Sequence, residues 1–179
     1  MNINLYLWKL CKRLDYYLGR VINISAYIAV GLLVFIVAGI TWEIIYRMVT
    51  GKSVVWVVEF SEYSLLYITF LAAAWVLKKD EHIKMDMVIN RFSVYMQSLI
   101  NAITSTLAFL FVLIIFLYSL KTAFNYFQMS YYTPTPLQVP QWTILIVIPI
   151  GSLLILLQLL KRYSESIKII KIERAKRKG

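Results

Sequence analysis

Four apolar stretches divide the chain, at about residues 21–46, 56–77, 96–120 and 141–160, with polar residues gathered between and beyond them. Each reaches the ~20 residues that a helix needs to cross bilayer hydrocarbon. Residues 1–20 have a different pattern. Ile3, Leu7, Leu10, Leu14, Tyr17 and Val21 recur at alternating steps of four and three, which places them on one helix face. Lys9, Lys12, Arg13 and Asp15 interrupt the apolar run, which excludes a signal peptide. The pattern predicts an amphipathic helix lying in the membrane interface, with Trp8, Tyr16 and Tyr17 near headgroup depth.

Span one carries no charge until Glu43 and ends at the interfacial aromatics Trp42 and Tyr46. Gly31, Ala38 and Gly39 are small enough to let a second helix approach. Span two ends in Lys78, Lys79, Asp80, Glu81 and His82, and after it Ile83, Met85, Met87, Val88, Ile89 and Phe92 interleave with Lys84, Asp86 and Arg91. That mixture predicts a short segment resting on the membrane surface. Beyond span three, the run AFNYFQMSYYTPTPLQVP holds Pro134, Pro136 and Pro140 and predicts a stiff, extended path. Pro140 is placed to start the fourth helix, and Trp142 stands at its entrance. Pro149, followed by Gly151 and Ser152, crowds the Leu145 carbonyl and predicts a bend.

Composition fixes the class. Of 179 residues, 60% are hydrophobic and 16% charged, against roughly 25% charged in soluble domains. The reading is an all-α integral membrane protein with four transmembrane helices in one domain. The net charge of +10 gains meaning from its distribution. Sixteen of the nineteen Lys and Arg residues fall in the N-terminal segment, between spans two and three, and in the tail 161–179. Only three fall on the other side. The positive-inside rule therefore predicts both termini and the middle turn in the cytoplasm.

Candidate chemistry is sparse. Glu59 and Glu62 stand three residues apart at the head of span two, and Leu66, Thr69 and Ala73 continue their stripe at helical spacing. Acidic at its outer end and small further in, the stripe suits contact with another helix. Glu43 falls near the same outer interface. A proton or cation path is the functional reading; pairing with Arg47, Lys52, Lys121 or a partner subunit, or simple snorkelling to water, is the structural one. The structural reading prevails, because no acidic residue occurs deep in any span to relay a proton. His82, beside Glu81 and Lys84, is read as holding the cytoplasmic turn. Cys11 and His82 are the only cysteine and histidine, which excludes an internal disulfide, a multi-cysteine metal site and a bis-histidine haem within this chain. No nucleophile–base pair, phosphate loop or metal-ligand pair appears, so neither an enzyme nor a resident cofactor is expected.

The stretch EFSEYSLLYITFLAAAWVLKKDEHIKMD resembles the signature of the small, DctQ-type membrane subunit of tripartite ATP-independent periplasmic (TRAP) transporters. In that signature a Glu-led second span precedes a charged turn, whose positions here are His82, Ile83, Lys84 and Asp86. The ending TPTPLQVPQWTILIVIPIGSLLILL is similar to the family's fourth span, with Pro140, Trp142, Pro149 and Gly151 in matching places. One departure is Ala72, Ala73 and Ala74, where family members often have a glycine. The resemblance implies a bacterial inner-membrane scaffold subunit in a sodium-coupled symport of organic acids. Its implied partners are a large membrane subunit, which binds substrate and sodium, and a periplasmic substrate-binding protein. Membrane lipids surround it and no nucleic acid is involved. Two other classes compete with this one. They are a membrane anchor for a redox complex and a small transporter or channel that assembles from copies of itself.

Overall fold

The computed structural model describes the backbone of residues 3–80 and 94–176, and the side chains of 16–79 and 95–172. The described residues form five helices: α1 (Ile3–Thr50), α2 (Val55–Asp80), α3 (Val94–Gln128), α4 (Gln141–Leu145) and α5 (Val147–Lys176). Among the described residues there is no strand, only an isolated antiparallel bridge between Tyr132 and Pro140. Four helical stretches are long and apolar enough to cross a membrane: Tyr16–Thr50, Val55–Lys79, Tyr95–Gln128 and Gln141–Ile172. All-helical backbone is what hydrocarbon demands, since each buried amide must find its partner within its own segment.

The helices overrun the apolar stretches. α1 has 48 residues, ~72 Å at 1.5 Å per residue, against a hydrocarbon layer of ~30 Å. No break separates residues 3–20 from the first span. The expected surface segment between spans two and three, with His82 and Asp86, lies outside the described residues.

Two compact units form, Met1–Trp75 and Val76–Gly179. In the first, α1 buries or half-buries Ile22, Ser25, Ala29, Leu32, Ile36, Gly39 and Glu43, at steps alternating between three and four, while their neighbours are largely exposed. A 3.5-residue period is the seam of a left-handed helix pair. Three contacts set its register against the returning chain. Ser25 Oγ donates to the Leu71 carbonyl at 3.1 Å, a Cβ on Gly39 would lie 3.3 Å from Val57 Cγ1, and Ser53 Oγ donates to Glu43 Oε1 at 3.0 Å. Fourteen residues forward from Ser25 to Gly39 match fourteen back from Leu71 to Val57, and four more match four more. The pair is antiparallel and in constant register over two heptads. Small residues let it close: Ser25, Ala29 and Gly39 on α1, and Ser61, Ser64 and Ala74 on α2.

The second unit holds another antiparallel pair. α3 presents Ser98, Ala102, Ser105, Phe109, Val112, Phe116, Ser119, Ala123 and Tyr126, again alternating four and three, all buried or half-buried. α5 answers with Pro149, Ser152, Leu156, Leu159 and Ser166, all buried. Arg162 Nη2 donates to Asn101 Oδ1 at 3.2 Å at one end. The Phe127 and Trp142 rings meet edge to face at 5.5 Å at the other.

The connection between α3 and α4 departs from the extended path that its prolines predict. Ser130 takes a positive φ of 47°; Ser130 N–H bonds the Phe127 carbonyl and Tyr131 N–H the Tyr126 carbonyl, with the Tyr126 and Tyr131 rings 5.4 Å apart. That combination is a Schellman cap with its hydrophobic contact. The chain then folds back. Thr133 N–H bonds the Val139 carbonyl at 2.9 Å, Val139 N–H bonds Thr133 Oγ1 at 3.0 Å, and Gln138 N–H closes a turn on Thr135 O at 3.0 Å. Pro136, at the second position of that turn, supplies the φ a β-turn needs. The prolines stiffen a reversal, not a spacer.

Candidate functional site

Membrane-depth carboxylates are the groups with chemical potential in this chain, and each owes its setting to local helix geometry. Glu43 occupies the last seam position of α1 and is 4% exposed. Burial at that depth is unfavourable unless the oxygens are paired. Both are: Oε1 accepts from Ser53, and Oε2 lies 3.6 Å from Arg47 Nη2, one turn on. The loop reaches Glu43 because Gly51, at φ 68°, ends α1 with its N–H on the Arg47 carbonyl at 2.9 Å. A glycine in that left-handed position is a common helix stop.

Glu59 sits in the second turn of α2 and is 5% exposed. Tyr63 O–H reaches Oε2 at 3.4 Å, a long bond, and Oε1 has no partner among the described residues. By the register above it lies roughly 9 Å along the axis from Glu43, six residues at 1.5 Å each. That is too far for the two to share a proton.

Of the stripe expected to continue from Glu59, Glu62 and Thr69 are exposed and Ala73 is half-buried. The α2 face that meets α1 runs instead through Val57, Ser61, Ser64, Leu71 and Ala74. The stripe therefore divides: Glu59 is enclosed, whereas Glu62 and Thr69 lie open to whatever surrounds the chain. His82 and Asp86 are outside the described residues.

At the fourth span, Pro140 immediately precedes α4 and its carbonyl accepts from Thr143 N–H at 3.1 Å and Thr143 Oγ1 at 2.6 Å. Trp142 packs edge to face on Phe127. α4 and α5 divide at Ile146, although Ile146 keeps its own helical bonds, its N–H on the Trp142 carbonyl at 3.0 Å and its carbonyl accepting from Ile150 N–H at 3.3 Å. The division is beside Leu145, whose carbonyl the Pro149 ring crowds and whose usual donor Pro149 lacks. Ser152 Oγ returns bonds to the Ile148 carbonyl at 2.7 Å and the Pro149 carbonyl at 3.1 Å. Pro149 and Gly151 are both buried. These four residues build the entrance and the break of a helix, with no reactive group among them.

The structure adds polar groups that the sequence reading passed over: Ser25, Ser53, Ser61 and Ser64 in the first unit, and Asn101, Ser105 and Gln158 in the second. Their signal was the heptad spacing of small polar residues inside apolar runs, as in Ser98, Ala102 and Ser105. Among the described residues, no three His, Cys, Asp or Glu side chains gather in a metal-binding group. Ser25 ties α1 to α2, Ser53 ties the connecting loop to α1 and Asn101 ties α3 to α5, whereas Ser61 bonds within its own helix.

No curated protein matches the chain. A family profile does: that of the tripartite ATP-independent periplasmic transporters, DctQ component, over residues 36–168. The match begins inside α1, takes in the Glu43 cluster, Glu59 and the Pro140–Gly151 entrance, and ends in α5. The family is a transporter component and not an enzyme family, and this chain, with four helices long and apolar enough to cross a membrane among its described residues, belongs to it as a small permease subunit.

Proposed function

We propose that the chain is the scaffold and membrane anchor for the large transport subunit of an ion-gradient-driven importer of organic acids in the bacterial inner membrane. One observation carries the scaffold reading: ionisable groups are confined to the ends of the spans. No Asp, Glu, Lys, Arg or His occurs between Val21 and Trp42, between Tyr63 and Leu77, between Val94 and Leu120, or between Gln141 and Leu160. A chain that itself relayed a proton would need such groups near the midplane. One that bound an ion or a carboxylate there on backbone groups would need a pair of broken helices, whereas the described residues show one break, at Ile146. Here Glu43 and Glu59 sit near helix ends, and Glu43 is committed to a loop.

In this reading the large subunit binds substrate and sodium, and the periplasmic binding protein delivers the substrate to the assembled pair. Both termini are cytoplasmic, supported by the sixteen cations of the inner side. Cations at the inner ends of the spans, Arg20, Lys78, Lys79, Lys161 and Arg162 among them, hold the helices at a fixed depth while the partner moves. Membrane lipids and the large subunit share the exposed faces.

Transport in proteoliposomes tests this. The large subunit and binding protein are reconstituted with and without this chain under a sodium gradient. Uptake that collapses without the chain, together with no flux through vesicles holding the chain alone, is the expected result. Full-rate uptake without it would remove the scaffold role.

A further inference from the structure

Ser105 on α3 is 3% exposed and Gln158 on α5 is 1% exposed, yet Ser105 Oγ and Gln158 Nε2 have no hydrogen-bond partner among the described residues. Both sit in the antiparallel pair whose register the Asn101–Arg162 bond sets. One turn forward from Asn101 is Ser105, and one turn back from Arg162 is Gln158. The two therefore fall near one level of the pair, Ser105 on the α3 seam and Gln158 on the flank of α5 from which Arg162 reaches across. Ser105 is also unlike the hydroxyls beside it. Thr104 bonds the Ile100 carbonyl and Thr106 the Ala102 carbonyl, four residues back in each case. Ser105 makes no such bond, and the Asn101 carbonyl that would receive it keeps its second lone pair.

A buried amide donor and a buried hydroxyl left unbonded in apolar surroundings are costly, and two in one layer call for a common partner. We propose that Ser105 and Gln158 hold a single buried water molecule between α3 and α5. The water accepts from Gln158 Nε2 and donates to Ser105 Oγ and to the Asn101 carbonyl, which gives it the two to four partners that internal waters have. With the Asn101–Arg162 bond one turn away, the site makes a short polar ladder. This goes beyond the scaffold reading and does not depend on it.

A double-variant cycle on the full chain in detergent micelles tests the site, using Ser105→Ala and the volume-conserving Gln158→Met. Each single variant is expected to lower the folding constant about threefold to tenfold, because it strands the remaining group. The double variant should lower it no further than either single one. In the native chain the Gln158 side-chain amide should show nuclear cross-relaxation with a long-lived water, and Ser105→Ala should abolish it. Independent, multiplying losses in the cycle would overturn the proposal. So would coupling with no water contact at Gln158, which would assign the pair a direct bond.

Discussion

The Ser53 hydroxyl donates to the Glu43 carboxylate at 3.0 Å, across a turn that ends one membrane helix and begins the next. Glu43 is thereby the peg of the α1–α2 connection, and its second oxygen faces Arg47. Arg47 is exposed, so its ion pair contributes little. The hydrogen bond from Ser53 and the burial of the carboxylate dominate. Glu43→Gln, which keeps an acceptor for Ser53, should change stability by under about 1 kcal/mol. Glu43→Ala, which removes the bond from the exposed Ser53 to a charged group and leaves a gap at a buried position, should cost about 1–3 kcal/mol. Equilibrium unfolding in mixed micelles separates the two; equal losses would show that charge, not the bond, matters there.

The two left-handed cap positions should respond in opposite directions. Gly51 has open space around a would-be Cβ but holds φ at 68°, so Gly51→Ala should destabilise by about 1 kcal/mol through backbone strain alone. Ser130 already bears a side chain at φ 47°, so Ser130→Gly should stabilise by up to about 1 kcal/mol. Thermal unfolding of both variants checks the pair, and a shared sign would contradict the cap assignments.

Two glycines of α1 that look alike in sequence differ in the packed chain. A Cβ on Gly39 meets Val57 Cγ1 at 3.3 Å, whereas one on Gly31 meets nothing within 4 Å. Gly39→Leu should therefore force α1 from α2 at a cost of about 1–3 kcal/mol, while Gly31→Ala should cost nothing measurable. A cysteine pair across the Gly39 level, read by cross-linking yield, would report the separation directly.

These contrasts mark what the sequence could tell. The four spans were legible because each is a long apolar run, a signal that needs no partner. The helix ends were not: α1 and α5 continue well into polar sequence, where Lys, Arg and Glu sustain a helix in water as readily as Leu does in lipid. The break near Pro149 followed from proline chemistry alone. The hairpin at Thr133–Val139 did not, because its reversal depends on Thr133 bonding on both sides of the turn. Least legible was which α2 face meets α1. Lipid and protein are both apolar, so hydrophobicity does not distinguish them. Packing selects by size, taking Ser61, Ser64 and Ala74 inward.

That outcome separates the two glutamates at the head of α2, and their variants should differ accordingly. Glu59 is buried with one oxygen unpartnered and the other on a 3.4 Å bond from Tyr63. A poorly compensated buried carboxylate is a burden on the fold, so Glu59→Gln should leave the isolated chain as stable or up to about 2 kcal/mol more so. Glu62 is exposed, so Glu62→Leu should shift the isolated chain by under about 0.5 kcal/mol. In the assembled transporter the order should reverse. Glu62 is the carboxylate free to meet a cation or donor on the large subunit, so Glu62→Leu should reduce recovery of that subunit in mild-detergent co-purification severalfold. Glu59→Gln should leave it near the native level. Stability and co-purification measured side by side on the same two variants decide the assignment, and loss of the partner with Glu59→Gln alone would transfer the contact to the buried residue.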